Sequence, residues 1–219
     1  MKANKNDITS SMSFDFEAPL GDIQQGRIQI LKGAPKIKIG SNPRMAQFVQ
    51  ARFERPLPDV TVEEGVIQIL YPGYSLLNWL VYWNQPVADL TLNTSLPWRI
   101  EGHGGVSSFL GDFSGLQISW IELHGGVSHF RVTLPVPLGS VPIRLVGGVS
   151  ELYVDRPQGV PVSIQVRGGI GSFTFDGQHF GSMGGQPRIE SPGYHEAASR
   201  YEILVSGGAG KIITGFQSQ

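Results

Sequence analysis

Apolar and polar residues alternate along short segments on both sides of recurring glycine pairs. Before one pair the chain reads Ile121-Glu122-Leu123-His124, and after it the chain reads Phe130-Arg131-Val132-Thr133-Leu134. An alternation with a period of two is typical of a β-strand that has one buried and one exposed face. Similar alternations flank the other pairs, so the sequence predicts a unit of strand, glycine turn and strand.

The glycine pairs recur at a nearly fixed spacing. They begin at Gly104, Gly125, Gly147, Gly168 and Gly207, which are 21, 22, 21 and 39 residues apart. Self-similarity at a fixed period of this length is typical of stacked or radially repeated units. We therefore expect an all-β fold, a stacked β-repeat that is solenoid- or prism-like and contains about five 21-residue Gly-Gly units.

Two arrangements of these units fit the pattern. In a stack of coils, equivalent residues of successive units lie about 4.8 Å apart, and Phe109, Phe130, Leu152 and Phe173 share one interior. In the alternative, an antiparallel hairpin meander or sandwich, each glycine pair is a two-residue hairpin turn. The stack is favoured because small residues recur at one register after each pair. A weaker echo at Gly33-Ala34 is too degenerate to count as a sixth unit.

The organisation along the chain is predicted to be simple. Residues 1–20 are polar and are predicted to form a flexible tail, and residues 21–219 a single β-repeat domain. An apolar hairpin at 71–86 and a long loop at 176–200 interrupt the repeat. The N-terminus has no secretory signal and the chain has no run of about 18 apolar residues, so we expect a cytoplasmic protein with membrane contact at most peripheral.

Charge and composition narrow the possible functions. The 17 basic and 18 acidic residues give a formal net charge of -1, which offers no general attraction to nucleic acid. The absence of cysteine excludes disulfides and thiolate catalysis. The glycine-rich run from Gly207 to Lys211 lacks residues that a phosphate loop requires, and there is no serine-nucleophile elbow. We therefore expect a protein that is not an enzyme and has no cofactor.

The segment from Tyr71 to Pro86 is the most apolar stretch of the chain. It contains two of the four tryptophans and three of the six tyrosines. Trp and Tyr combine a large apolar surface with a polar group, so this segment is predicted to bind a protein partner or a second copy of the chain. The alternative is that it only covers an end or side of the stack. The candidate interface residues are Tyr74, Leu77, Trp79, Leu80, Tyr82 and Trp83.

The long loop between the fourth and fifth units carries a second candidate site. Loops of this length are uncommon and often functional, and its polar groups could bind a metal or transfer protons. No ligand spacing such as His-x-x-x-His supports either role, so the alternative is a structural Ω-like loop. The candidate residues are His179, Glu190, Tyr194 and His195.

Two surface features complete the set of candidates. His103 and His124 precede successive glycine pairs, so stacked coils would make them neighbours that could share a divalent metal. Their ladder offers no good third ligand, and solvated surface histidines are the favoured interpretation. A carbohydrate-binding module would instead stack sugars on aromatic rings, for which the candidates are Trp98, Trp120, Tyr153 and Tyr194.

A family resemblance rests on three groups of residues. They are the Gly-Gly-[small or Val]-[Ser or Gly] units, Arg52-Phe53-Glu54 before Val60-Thr61-Val62, and Ser191-Pro192-Gly193-Tyr194 before Tyr201-Glu202-Ile203. On these motifs, the region from about Gly26 to Thr214 resembles the C-terminal domain of LiaF-type cell-wall-active antibiotic response proteins and related bacterial adhesin domains. The resemblance implies a non-enzymatic bacterial scaffold or interaction domain linked to the cell-envelope stress response. The alternative is a carbohydrate-binding or adhesin-like module.

Overall fold

The computed structural model describes residues 13–72 and 88–217, and these residues form β-strands and their connections. The strands are β1 Ser13–Pro19, β2 Gly26–Leu31, β3 Ala34–Ser41, β4 Gln47–Glu54, β5 Asp59–Glu63, β6 Val66–Leu70, β7 Ala88–Leu92, β8 Pro97–His103, β9 Val106–Asp112, β10 Gln117–His124, β11 Val127–Thr133, β12 Ser140–Val146, β13 Val149–Arg156, β14 Val162–Val166, β15 Ile170–Phe175, β16 Gln178–Met183, β17 Arg188–Glu190, β18 Arg200–Val205 and β19 Ala209–Phe216. None of the described residues belongs to a helix that is long and apolar enough to cross a membrane.

The strands form two mixed sheets that share one apolar core. Sheet A has the order β17-β14-β18-β12-β10-β8-β2-β6-β5, and sheet B has the order β1-β4-β7-β3-β9-β11-β13-β19-β15-β16. The buried residues of both sheets belong to one hydrophobic cluster. The described part of the chain is therefore all-β, as the sequence predicted, and its two layers are also compatible with the sandwich alternative.

The glycine pairs are corners at which the chain passes from one sheet to the other. Around Gly125-Gly126, β10 lies in sheet A and β11 in sheet B. Each strand pairs in parallel with its equivalents in the neighbouring units, β10 with β8 and β12, and β11 with β9 and β13. One strand of each sheet and the corner between them form a unit that we call a coil. These contacts confirm the predicted stacking of equivalent positions.

Seven coils stack in the described part of the chain, and their spatial order differs from their order in sequence. The fifth unit, β18 and β19, lies between the third unit, β12 and β13, and the fourth, β14 and β15. The degenerate repeat at Gly33-Ala34 also forms a corner between the sheets. Its coil, β2 and β3, stacks on the first unit, β8 and β9. The coil of β6 and β7 lies beyond it. The stack is thus longer than predicted and is interleaved.

Inward-facing residues form continuous ladders along the stack. In sheet B, the Phe109 and Phe130 rings stack with centroids 5.2 Å apart, and Leu152, Ile212 and Phe173 continue the row. The four residues predicted to share an interior therefore do so. One row of sheet A is isoleucine in every coil: Ile67, Ile28, Ile100, Ile121, Ile143, Ile203 and Ile164.

Close backbone contact explains why the corners are glycine. Gly104 and Gly125 have φ values of 111° and 96°, which other residues rarely adopt. A Cβ on Gly125 would lie 2.8 Å from the carbonyl carbon of Gly104, and a Cβ on Gly104 would lie 2.6 Å from the amide nitrogen of Gly33. The Gly104 amide also donates to the His124 carbonyl at 3.0 Å. Larger residues at these corners would separate the coils.

Antiparallel strands border both ends of the stack. At one end β5 pairs with β6, and β4 and β1 extend sheet B beyond β7; at the other end β17 pairs with β14, and β16 pairs with β15. The prediction of a flexible tail over 1–20 is therefore wrong for Ser13–Pro19, which is held in sheet B because Phe16 and Ala18 are buried. The segment predicted as one long loop, 176–200, supplies the edge strands β16 and β17.

Candidate functional site

The coil of β6 and β7 differs from the others at its corner. In the neighbouring coil, Leu31 and Ile37 are separated by five residues; at the equivalent positions of this coil, Leu70 and Ala88 are separated by seventeen. Tyr71, the first of the seventeen, is fully buried. The predicted apolar segment therefore belongs to an insertion in the sequence that connects β6 to β7.

The candidate interface residues all belong to this insertion. They lie outside the residues that the structure describes, and their role remains a prediction; they are Tyr74, Leu77, Trp79, Leu80, Tyr82 and Trp83.

A groove of about 720 Å³ follows the corners of neighbouring coils. It begins at Lys32 and Pro35 and reaches Gly210. Its lining consists largely of glycine backbone and of small side chains that include Ser107, Ser128 and Ser150. The small residues that repeat at one register thus form a continuous surface, adjacent to the coil that carries the insertion.

On the outer face of sheet A, a charged network surrounds Glu101. Its carboxylate accepts hydrogen bonds from Arg27 at 2.5 Å, from Gln29 at 3.2 Å and from Arg99. Burial alone would raise the pKa of Glu101, but the bonds from Arg27, Gln29 and Arg99 outweigh it and lower the pKa. Glu101 is therefore ionised at neutral pH, and it links β2 to β8.

The indole of Trp120 lies beside two guanidinium groups. Arg99, on one neighbouring strand, lies 4.7 Å from the ring centroid, and Arg144, on the other, lies 4.6 Å from it. The indole nitrogen donates to Glu122 at 3.0 Å. Such cation-π contacts fix the ring and occupy its faces.

The aromatic residues proposed as carbohydrate platforms have little free ring surface. Trp98 is fully buried and Tyr194 is buried beneath Arg200, whose guanidinium lies 5.0 Å from the ring centroid. Arg131 lies 4.4 Å from the Tyr153 ring. Together with the two arginines beside Trp120, these contacts reduce the ring surface that is available for stacking on sugars.

His103 and His124 are neighbours, as the sequence predicted. Their rings stack with centroids 5.5 Å apart at an angle of 15°, and the Nε2 atom of His124 lies 3.2 Å from Glu122. Rings that stack face to face do not direct two nitrogens at one point. Within residues 13–72 and 88–217, no group of three His, Asp or Glu side chains could hold a metal ion.

The second candidate site is divided between the two sheets. The Nε2 atom of His195 lies 2.7 Å from Glu190 Oε2, and the His195 ring contacts that of Tyr194 edge to face. Burial alone would raise the pKa of Glu190, but Arg188 and then His195 outweigh it and lower the pKa. His179 instead lies on β16 of sheet B, where its Nδ1 is 3.2 Å from the Thr174 hydroxyl. Three of the four residues are thus together, and His179 is not.

A small pocket on sheet A was not anticipated from the sequence. It has a volume of about 170 Å³ and lies over Leu204 between Arg144 on one side and Gln165 and Arg188 on the other. These four residues come from four different strands, and only the interleaved order of the coils places them in one row. No sequence signal identified this pocket, because the third, fourth and fifth units had been placed in their order along the chain.

The comparison with known proteins finds a similarity of fold. No family model matches it, and no curated protein sequence matches it. Its fold is similar to that of a "putative cell adhesion protein" from Clostridium sporogenes, with a TM-score of 0.68 and 16% identity over 94% of this chain and 99% of that one.

A second solved structure gives a weaker match. It is a "putative adhesin" from Bacteroides fragilis, with 10% identity over 92% of this chain and 95% of that one and a TM-score of 0.31, too low to indicate a common fold. The LiaF-type assignment remains a prediction.

Proposed function

We propose that this protein is a non-enzymatic, adhesin-like interaction module that binds a second copy of itself through the segment from Tyr71 to Pro86. The observation that carries the proposal is the place of this segment in the fold. Five residues are enough to turn the neighbouring coil, and glycine pairs turn the coils beyond it. The additional residues between Leu70 and Ala88 are therefore not needed to close a coil.

The composition of the insertion supports a contact function. Residues 71–87 contain two tryptophans and three tyrosines and not one Asp, Glu, Lys or Arg. The centres of protein interfaces are enriched in Trp and Tyr and depleted in charge. A segment that only turned the chain would need small or polar residues, as at Gly33-Ala34 in the next coil.

The fold neighbour supports the adhesin-like character of the proposal. The name of that protein assigns it to cell adhesion. A two-layer stack of paired strands is also a suitable framework for presenting a contact segment. A link to the cell-envelope stress response has no support from the comparisons, and the cytoplasmic location remains a prediction.

Shortening the insertion tests the proposal. In the short-corner variant, Pro72–Val87 is replaced by Gly-Ala-Pro-Lys, the sequence of Gly33–Lys36 at the equivalent corner. Tyr71 is kept because it is buried in the core. Light scattering over a concentration series should give twice the monomer mass for the wild-type protein and the monomer mass for the variant.

A second variant keeps the length of the insertion. Trp79→Ser combined with Trp83→Ser should also give a monomer if these side chains form the contact, even if the short-corner variant fails to fold. A wild-type protein that stays monomeric at every concentration, or variants that still dimerise, would contradict the proposal.

A further inference from the structure

The pocket over Leu204 has the shape and the donors of a small binding site. In the row Arg144, Leu204, Gln165 and Arg188, the apolar side chain is the shortest and is half-buried, so it forms a floor between longer polar residues. Two strand spacings separate Arg144 from Gln165, which is about 9.6 Å. The pocket is partly open, and its volume of about 170 Å³ suits a molecule much smaller than a typical drug.

One wall of the pocket consists of polar groups that already have hydrogen-bond partners within the protein. Tyr194 is buried, and burial, followed by the charge of Glu202, raises the pKa of its hydroxyl, so that it stays protonated. Glu202 accepts hydrogen bonds from Ser140 at 2.6 Å and from Arg200 at 3.4 Å. The bond from Ser140 and then that from Arg200 outweigh burial and lower the pKa of Glu202. These groups form one side of the pocket, and the Glu202 carboxylate is paired with Arg200.

The remaining charges leave one cation without an acidic partner. Arg188 pairs with Glu190 at 2.6 Å. Glu122, the cross-strand neighbour of Arg144, contacts Trp120 and His124 instead. In the part of the chain that the structure describes, Arg144 has no carboxylate within 4.0 Å, and its recorded contact is with the Trp120 ring.

We propose that this pocket binds a small carboxylate that also carries hydroxyl groups, such as a sugar acid. The Arg144 guanidinium would donate two parallel hydrogen bonds to the carboxylate, the geometry that a planar fork favours. Gln165 and Arg188 offer further donors on the opposite side, and Leu204 contacts the apolar face of the ligand. The single unpaired cation selects a monoanion over a phosphate or a neutral sugar.

The site is independent of the proposed self-association. It is built on β12, β18, β14 and β17, whereas β6, which leads into the insertion, lies near the other end of sheet A. The short-corner variant should therefore bind the ligand as the wild-type protein does, so the two proposals can fail separately.

The test is a titration with D-glucuronate, using D-glucose and inorganic phosphate as comparison ligands. Because Arg144 lies over Trp120, binding should change the tryptophan fluorescence in a saturable way. Arg144→Met should weaken glucuronate binding at least tenfold, and Arg144→Lys should have an intermediate effect. Arg167→Met, at an exposed arginine that directly follows β14 and lies outside the pocket, should leave the affinity unchanged.

Three results would overturn the assignment. They are the absence of saturable glucuronate binding to the wild-type protein, glucose or phosphate binding as tight as that of glucuronate, and an unchanged affinity in Arg144→Met. Arg144 is exposed and its side chain lies outside the core, so this variant should fold, which circular dichroism verifies.

Discussion

At the scale of single residues, the fold depends on positions where one additional atom would not fit. The corner glycines bring successive backbones so close that a Cβ would lie under 3.0 Å from main-chain atoms at Gly104 and Gly125. Their recurrence in the sequence predicted the corners, since only glycine meets both the steric and the conformational demand. The interior residues Phe109 and Phe130 were predicted for a similar reason, because their register repeats with the glycines.

Gly125→Ala should destabilise the protein strongly. The new Cβ would be strained at a φ of 96° and would collide with the Gly104 backbone, so we expect a loss of about 3 kcal/mol in the free energy of unfolding. Gly40→Ala is the matched control, because a Cβ there meets nothing within 4 Å. Urea unfolding measures both variants, and equal stability would contradict the steric account of the corners.

A buried ion pair fixes the coil at the far end of the stack. Arg156 is 1% exposed and donates two hydrogen bonds of 2.7 Å to Asp176, and it also donates to the Val160 carbonyl at 2.8 Å. Asp176 begins the turn between β15 and β16, so the pair ties this turn to β13. Neither residue was singled out from the sequence, because Arg156 occupies an inward position of β13 at which the alternation predicts an apolar residue.

Removing only the acid should cost more than removing both partners. Asp176→Asn leaves a buried guanidinium without its counter-ion, for which we expect a loss of about 3 to 5 kcal/mol. Asn tolerates the positive φ of 50° at this position, so the backbone should be retained. Combining it with Arg156→Met should restore part of the loss in thermal or urea unfolding. A double variant less stable than Asp176→Asn would contradict the assignment of the loss to an unpaired charge.

At the scale of elements, charged and polar rows on the outer faces join neighbouring strands. Glu101 connects β8 to Arg27 of β2, and Ser140 connects β12 to Glu202 of β18. The alternation of the sequence predicted which residues face outward. It could not predict which outward residues meet, because that depends on the order of the coils.

The Glu101 network should make stability depend on pH in the acid range. Its folded pKa lies below the reference value of 4.5, so its contribution is complete above the unfolded pKa and is lost as the pH falls through the folded pKa. Glu101→Gln should therefore lower stability at neutral pH and reduce the loss between about pH 6 and about pH 3. Chemical unfolding at a series of pH values measures this, and parallel curves for the two proteins would refute the role of Glu101.

The candidate site was predictable in part at this scale. Glu190, Tyr194 and His195 were expected together because they lie close in sequence, and they are together on the sheet A side. His179 was grouped with them, but the turn after Asp176 pairs β16 with β15 and carries His179 to sheet B. The polar, exposed sequence of β16 gave no alternation from which that strand could be recognised.

At the scale of the whole molecule, the order of the coils is what the sequence could least reveal. Every coil has an isoleucine at the same inward position of sheet A, for example Ile143, Ile203 and Ile164. Any of these coils can therefore pack on any other. The fifth unit lies between the third and fourth, and the fourth unit is followed by the strands β16 and β17, which pair along the edge of the stack. The pocket at Arg144 exists only in this order.

The measurement that tests this architecture most directly is disulfide trapping, since the natural chain has no cysteine. Glu151 of β13 lies directly opposite Lys211 of β19, and Lys211 lies opposite Ser172 of β15. Cysteines at 151 and 211 should cross-link on mild oxidation, because adjacent strands bring their Cα atoms within the range of about 4.4 to 6.8 Å that a disulfide spans. Cysteines at 151 and 172 should not, because β19 separates them. Cross-linking of 151 with 172 and not with 211 would show that the coils stack in sequence order and would contradict the structure described above.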